Sequence, residues 1–347
     1  MVKIIGLIFF FLATLISSAT LVFANDSTAR VAAGGITFLK SEHIRMLEES
    51  LEISMTNVKV KYRFYNESNQ DIHTTVAFPM PPYRWTSGSN AWESNQEPIT
   101  TFRVFVNGQQ LSTTMILKAM IGDKDVTSKL RESGLSDEQI QTFGGCQITM
   151  KGGTIFNDLT QIQKDMVMQL TLKKGSCPSR TVANTLVWEQ TFPALKEIVV
   201  EHHYSPFVGI SYSAPYQYPH GYVSEIPTVD DSANMNEACL DDGIRRAINK
   251  RIKAFVDKGA KRVYVTLHDV EYILGTGRNR KGPIGKFTLK INKDSPDQFV
   301  SLCFQGKPRK ANSKQCEFVQ KNFVPQDRLV VYCHNVDKKV YLSSNEK

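Results

Sequence analysis

The side chains best suited to chemistry fall in the run Glu201-His202-His203 and the pair His268-Asp269. Imidazole and carboxylate are the ligands that zinc-like ions take, and they also serve as general acids and bases. On an extended strand, residues two apart share a face. Glu201 and His203 would then stand side by side, with His202 on the apolar phase of Val200 and Tyr204. Adding His268 makes Glu201, His203 and His268 the candidate centre of a metal-assisted or other hydrolase. No third ligand sits at a fixed spacing from the first two. The same pattern fits a core histidine beside an exposed pair, and the balance falls toward a protein without catalysis.

Other catalytic signatures fail at specific residues. Gly277 and Gly282 have phosphate-loop spacing, but Pro283 stands where that loop needs lysine. No strand-helix-strand pattern surrounds these glycines, so a dinucleotide fingerprint is not expected. Gly209-Ile210-Ser211-Tyr212-Ser213 lacks the last glycine of a hydrolase elbow. No cofactor is expected.

Recognition is the other chemistry on offer. Tyr204, Tyr212, Tyr216, Tyr218 and Tyr222 crowd a stretch whose part from Pro206 to Pro227 is rich in Tyr, Pro, Ser and Gly. It reads as an ordered loop with the composition of a binding surface. Arg278, Arg280 and Lys281 form a basic cluster, and Lys307, Arg309 and Lys310 form another. The 42 Lys and Arg exceed the 34 Asp and Glu only mildly, for a net charge of +8. That balance does not suit a nucleic-acid specialist. Local basic clusters would still suit the phosphates of lipopolysaccharide or anionic lipid headgroups.

Location follows from the first residues. Lys3 precedes an apolar run from Ile4 to Leu12, and Val22-Phe23-Ala24 offers a small-residue cut. Residues 1–24 are expected to be a secretory signal peptide, with no membrane-spanning segment after its removal. Six cysteines, Cys146, Cys177, Cys239, Cys303, Cys316 and Cys333, would remain in an oxidising compartment. They are candidates for disulfides, and their pairing stays open.

The elements that must position these groups are mostly strands. Val58, Val60, Tyr62 and Phe64 alternate with Lys59, Lys61 and Arg63, as on a half-buried strand. Ile72 to Phe78 resumes the alternation until Pro79 stops it. Phe102-Val104-Val106 leads into Asn107-Gly108, a hairpin turn, with return through Leu111, Thr113, Met115 and Leu117. A short helix over Val126 to Arg131 and another opened by Ser136-Asp137-Glu138-Gln139 form an insert. Met166, Met168, Leu170 and Leu172 read as a further strand. Later strands are expected around Trp188, Val200, Val265, Tyr272, Leu289, Leu302 and Val331. Ile244, Ile248, Ile252 and Phe255 mark one amphipathic helix, begun by Asp241 and Asp242 and ended by Gly259.

The expected architecture is mainly β. Two antiparallel β-sandwich-like units carry short helical inserts and one amphipathic helix in the second unit. The units would span residues 25–175 and 185–347, with a linker at 176–184.

Several segments resemble one family in order along the chain. They are Asn25-Asp26-Ser27, Val58 to Asn66, Val76 to Pro81, Trp188 to Pro193, Val200 to Pro206, and Tyr272 to Gly277 with Gly282 to Phe287. Together they resemble the secreted bacterial family called domain of unknown function 4424. Arg280 departs from the tryptophan that the resemblance leads one to expect. The first unit is also similar, at the level of fold, to the N-terminal module of inter-alpha-trypsin inhibitor heavy chains. The family resemblance implies export and a bacterial envelope location, periplasmic or secreted, and brings no catalytic residues. The expected function is a non-enzymatic binding or structural module of the envelope. Its partner would be an envelope protein or an anionic envelope component. The hydrolase and the binder of anionic polymers or lipids are the alternatives.

Overall fold

The computed structural model describes residues 27–32, 35–38, 42–85, 101–142, 159–170, 180–212, 216–217, 239–260, 262–274, 281–326 and 328–338. The expected signal peptide lies outside them.

Twenty strands and four helices make up the described part. The strands before the helical insert are β1 (Ser27–Ala32), β2 (Gly35–Phe38), β3 (Ile44–Ile53), β4 (Val58–Asn66), β5 (Ile72–Pro79), β6 (Tyr83–Trp85), β7 (Arg103–Val106), β8 (Gln109–Leu111), β9 (Thr114–Ile121) and β10 (Lys124–Asp125). Helices α1 (Thr127–Glu132), α2 (Asp137–Thr142) and α3 (Gln161–Gln169) follow. Then come β11 (Arg180–Phe192), β12 (Glu197–Tyr204), β13 (Val208–Tyr212), β14 (Tyr216–Gln217) and α4 (Asp242–Asp257). The chain continues with β15 (Arg262–Ile273), β16 (Ile284–Asn292), β17 (Phe299–Ser301), β18 (Arg309–Lys310), β19 (Gln315–Phe323) and β20 (Arg328–Asp337).

Three sheets result. One runs β10-β9-β11-β5-β1-β2, with β6 beside β11. The largest runs β18-β19-β16-β3-β4-β12-β7-β8. The third runs β13-β15-β20-β17, with β14 beside β15. The main core is shared by all three. Val60, Tyr62, Leu51, Phe287 and Leu289 of the largest sheet pack in one cluster with Phe78 and Trp188 of the first and Tyr272 and Val331 of the third. Fully burying each such side chain contributes roughly 1.5–3 kcal/mol. The opposite face of the largest sheet is solvated, because β4 buries alternate residues and leaves Lys59 and Lys61 exposed.

The sheets draw on both sides of the expected linker at 176–184, of which residues 176–179 lie outside the described residues. The largest sheet takes β3, β4, β7 and β8 from the first half and β12, β16, β18 and β19 from the second. Residues 180–184 are the start of β11, which lies between β9 on one side and β6, then β5, on the other. The sheets are also not wholly antiparallel, since β16 pairs with β3 in parallel.

The Asn107-Gly108 turn forms as expected, with positive φ at both residues. The return leg differs. It breaks after Leu111, so β8 stays with β7 while β9 joins β11 in another sheet. The stretch with Met166 and Met168 is helix α3, not a strand. Thr160 and Gln163 close a capping box at its start, a local hydrogen-bonding gain that the apparent alternation concealed. Helices α1 to α3 bury Leu130, Ile140 and Val167 against Leu117 and Val182 of β9 and β11.

Two expected strands, around Val265 and Tyr272, are one strand, β15. It is buried on both faces. Val263 and Val265 pack with Ile248 and Ile252 of α4, while Val270 and Tyr272 enter the main core. The expected loop after Pro206 contains β13 and β14, paired with β15. Gly209 sits opposite Asp269 in that pairing. A Cβ there would run into the Asp269 carboxylate, so any larger residue requires that side chain to move.

Candidate functional site

Strand β12 sets the geometry of the Glu201-His202-His203 run. Its burial alternates, with Ile198, Val200, His202 and Tyr204 inward. His202 is fully buried among Tyr62, Phe78, Phe102 and Trp188, whose ring centres lie 4.8–5.4 Å away. Burial, and next the neighbouring His203, push its pKa down to about 3, so it is a neutral core group.

Glu201 and His203 share the solvated face, as the spacing predicts. Lys61 on the neighbouring strand reaches Glu201 at 2.9 Å, and His203 Nε2 lies 3.8 Å from the same carboxylate. Burial works to raise the Glu201 pKa, but the Lys61 hydrogen bond and charge outweigh it and hold it below the ordinary value. Phe105 packs on the His203 ring at 5.4 Å.

His268 does not join them. It is fully buried on β15, in a different sheet, with Nδ1 3.3 Å from Asn335 Nδ2. Burial lowers its pKa to about 4. Among the described residues, no group of three His, Cys, Asp or Glu side chains could hold a metal ion. The three residues are therefore a half-buried pair, in which Glu201 is bound to Lys61, and one separate core histidine.

The binding candidates scatter as well. Tyr204 is 3% exposed and lies in the core against Phe78 and Phe102, so it offers no surface. The backbones of Tyr212 and Tyr216 lie on β13 and β14. Tyr218, Tyr222, Arg278 and Arg280 lie outside the described residues. Lys281 is engaged by Glu67 at 2.7 Å, and Arg45 reaches the same carboxylate at 3.2 Å. The Lys281 hydrogen bond leads in holding the Glu67 pKa down. Arg309 pairs with Glu317.

Of the six cysteines, Cys239 and Cys303 form a disulfide closing a separation of 64 residues. Cys316 and Cys333 are thiols, and Cys146 and Cys177 lie outside the described residues.

What sequence reasoning missed is a concavity where β8 and β9 part. Two open clefts flank this crossover. One, of about 340 Å³, is lined by Leu111, Ser112, Thr114, Val187, Trp188 and Glu189. The other, of about 360 Å³, is lined by Phe102, Arg103 and Gln110 to Thr113. The first arises from strand lengths. β9 covers β11 only from Thr181 to Val187, whereas β5 covers it to Phe192. Beyond Val187 the covering chain turns away, and the β11 edge opens. Residues of both faces of β11, Trp188 inward and Glu189 outward, meet in that opening. Ser112-Thr113, small polar residues inside an otherwise apolar alternation, were the available signal.

The fold and the sites described define a mainly β protein of three sheets sharing one core, with clefts at a sheet junction. The chain belongs to the family described as Domain of unknown function (DUF4424), whose model matches residues 24–332. No curated protein sequence matches it. Among solved structures it is similar to a candidate nutrient-binding protein from Legionella pneumophila. That likeness has 15% identity and a TM-score of 0.40, over 85% of this chain and 68% of that one. It is also similar to native yeast LTA4 hydrolase, with 8% identity and a TM-score of 0.26, over 84% of this chain and 29% of that one. Among the described residues, no helix is long and apolar enough to cross a membrane.

Proposed function

We infer that this is an exported, non-enzymatic binding module of the bacterial cell envelope, and that the clefts flanking Leu111–Thr114 are its ligand site. The carrying observation is that none of Glu201, His202, His203 and His268 lines either cleft. Glu201 is committed to Lys61, and His202 and His268 are fully buried. The clefts have the size of small-ligand sites; the one beside Trp188 is mainly apolar with Glu189 at its rim, and the one beside Arg103 is mainly polar. The Cys239–Cys303 bond supports export, because such bonds persist outside the reducing cytosol.

The test is a thermal-shift screen with amino acids, short peptides, sugars and peptidoglycan fragments. A ligand should raise Tm by mass action, and Ser112→Trp, a bulky change at a residue that lines both clefts, should abolish the rise. A rise untouched by that substitution would move the site elsewhere. Turnover of any panel compound would replace binding with catalysis.

A further inference from the structure

Cys316 and Cys333 stand on successive strands that the chain carries from one sheet to the other. β19 ends at Phe323 in the largest sheet, and β20 begins at Arg328 in the third. Cys316 lies seven residues before the end of β19, and Cys333 five residues after the start of β20. Strands that turn a corner and run back on a facing sheet bring residues at comparable distances from the corner opposite each other.

Both side chains point into the space between these sheets. On β19, Cys316 shares the phase of Phe318, a core residue. Its cross-strand neighbour is Ile291, which is fully buried. On β20, Cys333 shares the phase of Leu329 and Val331, both in the main core. Cys333 belongs to that same cluster, and Cys316 packs against it.

The electrostatics agree. Burial leads in raising both thiols, Cys333 to about 12, and the Lys293 ammonium lowers each in part. The Cys316 sulfur is itself among the groups that raise Cys333. The two thiols thus share a charged neighbour and feel one another.

We propose that Cys316 and Cys333 are an oxidisable pair that closes a disulfide across the core, pinning the largest sheet to the third. Cys316 is part-exposed and Cys333 buried, which sets the order of events. The Cys316 thiolate attacks a sulfur of a small or protein disulfide oxidant, forming a mixed disulfide and expelling one thiolate. Cys333 gives up its proton to that thiolate and attacks the Cys316 sulfur, expelling the second thiolate, which takes from solvent the proton that Cys316 had released. Two protein thiols are oxidised to one cystine, and one oxidant disulfide is reduced to two thiols.

The experiment incubates the full folded chain with oxidised glutathione, then denatures it, alkylates free thiols and maps the digest by mass spectrometry. The Cys239–Cys303 cross-link serves as the internal sign that oxidation took place. A peptide joining Cys316 to Cys333, with neither alkylated, is the expected result. Cys316→Ser should leave Cys333 alkylated without disturbing the other bond, and the oxidised wild type should melt several degrees above that variant. Alkylation of both cysteines in a chain whose Cys239–Cys303 bond has formed would overturn the proposal. So would a bond from either one to Cys146 or Cys177. The wild-type digest decides the matter even if the variant fails to fold.

Discussion

A Cβ on Gly285 would lie 2.6 Å from the Leu47 carbonyl oxygen. The two residues face each other where β16 runs parallel to β3, next to a bulge at which β3 slips register between Met46 and Glu48. Before the bulge, Ile44 and Met46 are inward. After it, the inward set becomes Glu49, Leu51 and Ile53. The extra residue thus turns a carboxylate, 2% exposed, into the core.

Gly285→Ala should therefore be destabilising by about 1–3 kcal/mol, as overpacking against backbone typically is. Denaturant unfolding would read this as a lower midpoint at unchanged slope. A neutral result would mean that β3 can shift its bulge at no cost.

Tyr62 and Tyr272 join the largest and third sheets through a buried hydroxyl pair at 2.9 Å. Tyr62→Phe or Tyr272→Phe should each cost about 1–3 kcal/mol, because one hydroxyl is left without that partner. The double variant should cost less than the two single losses added together. Strict additivity in the cycle would show that the hydroxyls do not interact.

His202, His268 and His334 have pKa values lowered by burial to about 3, about 4 and about 4. The unfolded chain binds these protons more readily, near the ordinary value of 6.5. Their contribution is whole above pH about 6.5 and is lost as pH falls toward about 4, and for His202 toward about 3. Each proton taken up on unfolding removes about 1.4 kcal/mol per pH unit. Urea midpoints should fall steeply from pH 7 to pH 5, and a flat profile would contradict this account.

Thr160→Ala removes the hydroxyl half of the α3 capping box. The expected loss is about 1 kcal/mol. Amide exchange should quicken in α3 first, while protection in β4 and β12 is kept. Uniform quickening would tie the helical insert to global unfolding.

Glu201→Gln breaks the Lys61 pair on a solvated face, so stability should move by less than about 1 kcal/mol. Titration calorimetry with zinc should give the same trace for wild type, Glu201→Gln and His203→Ala. A zinc affinity lost in either variant would restore the metal reading.

Local pattern carried a definite share of this protein. The period of two in Val58 to Phe64 and Ile198 to Tyr204 determined strands and their inward faces, including the core place of His202 and the shared face of Glu201 and His203. Asn107-Gly108 determined a turn, because both residues accept positive φ. Asp241 and the isoleucines after it determined α4. These are properties of a few adjacent residues, so they can be read in order along the chain. Sheet membership is different. The departure of β9 from β8, the joining of β3 to β16 and the burial of both faces of β15 depend on partners many residues away. So do the cleft at the β11 edge and the isolation of His268 from Glu201. Hydrogen bonding satisfies a strand locally with any suitable neighbour. Only packing of the whole chain around one core selects which neighbour it is.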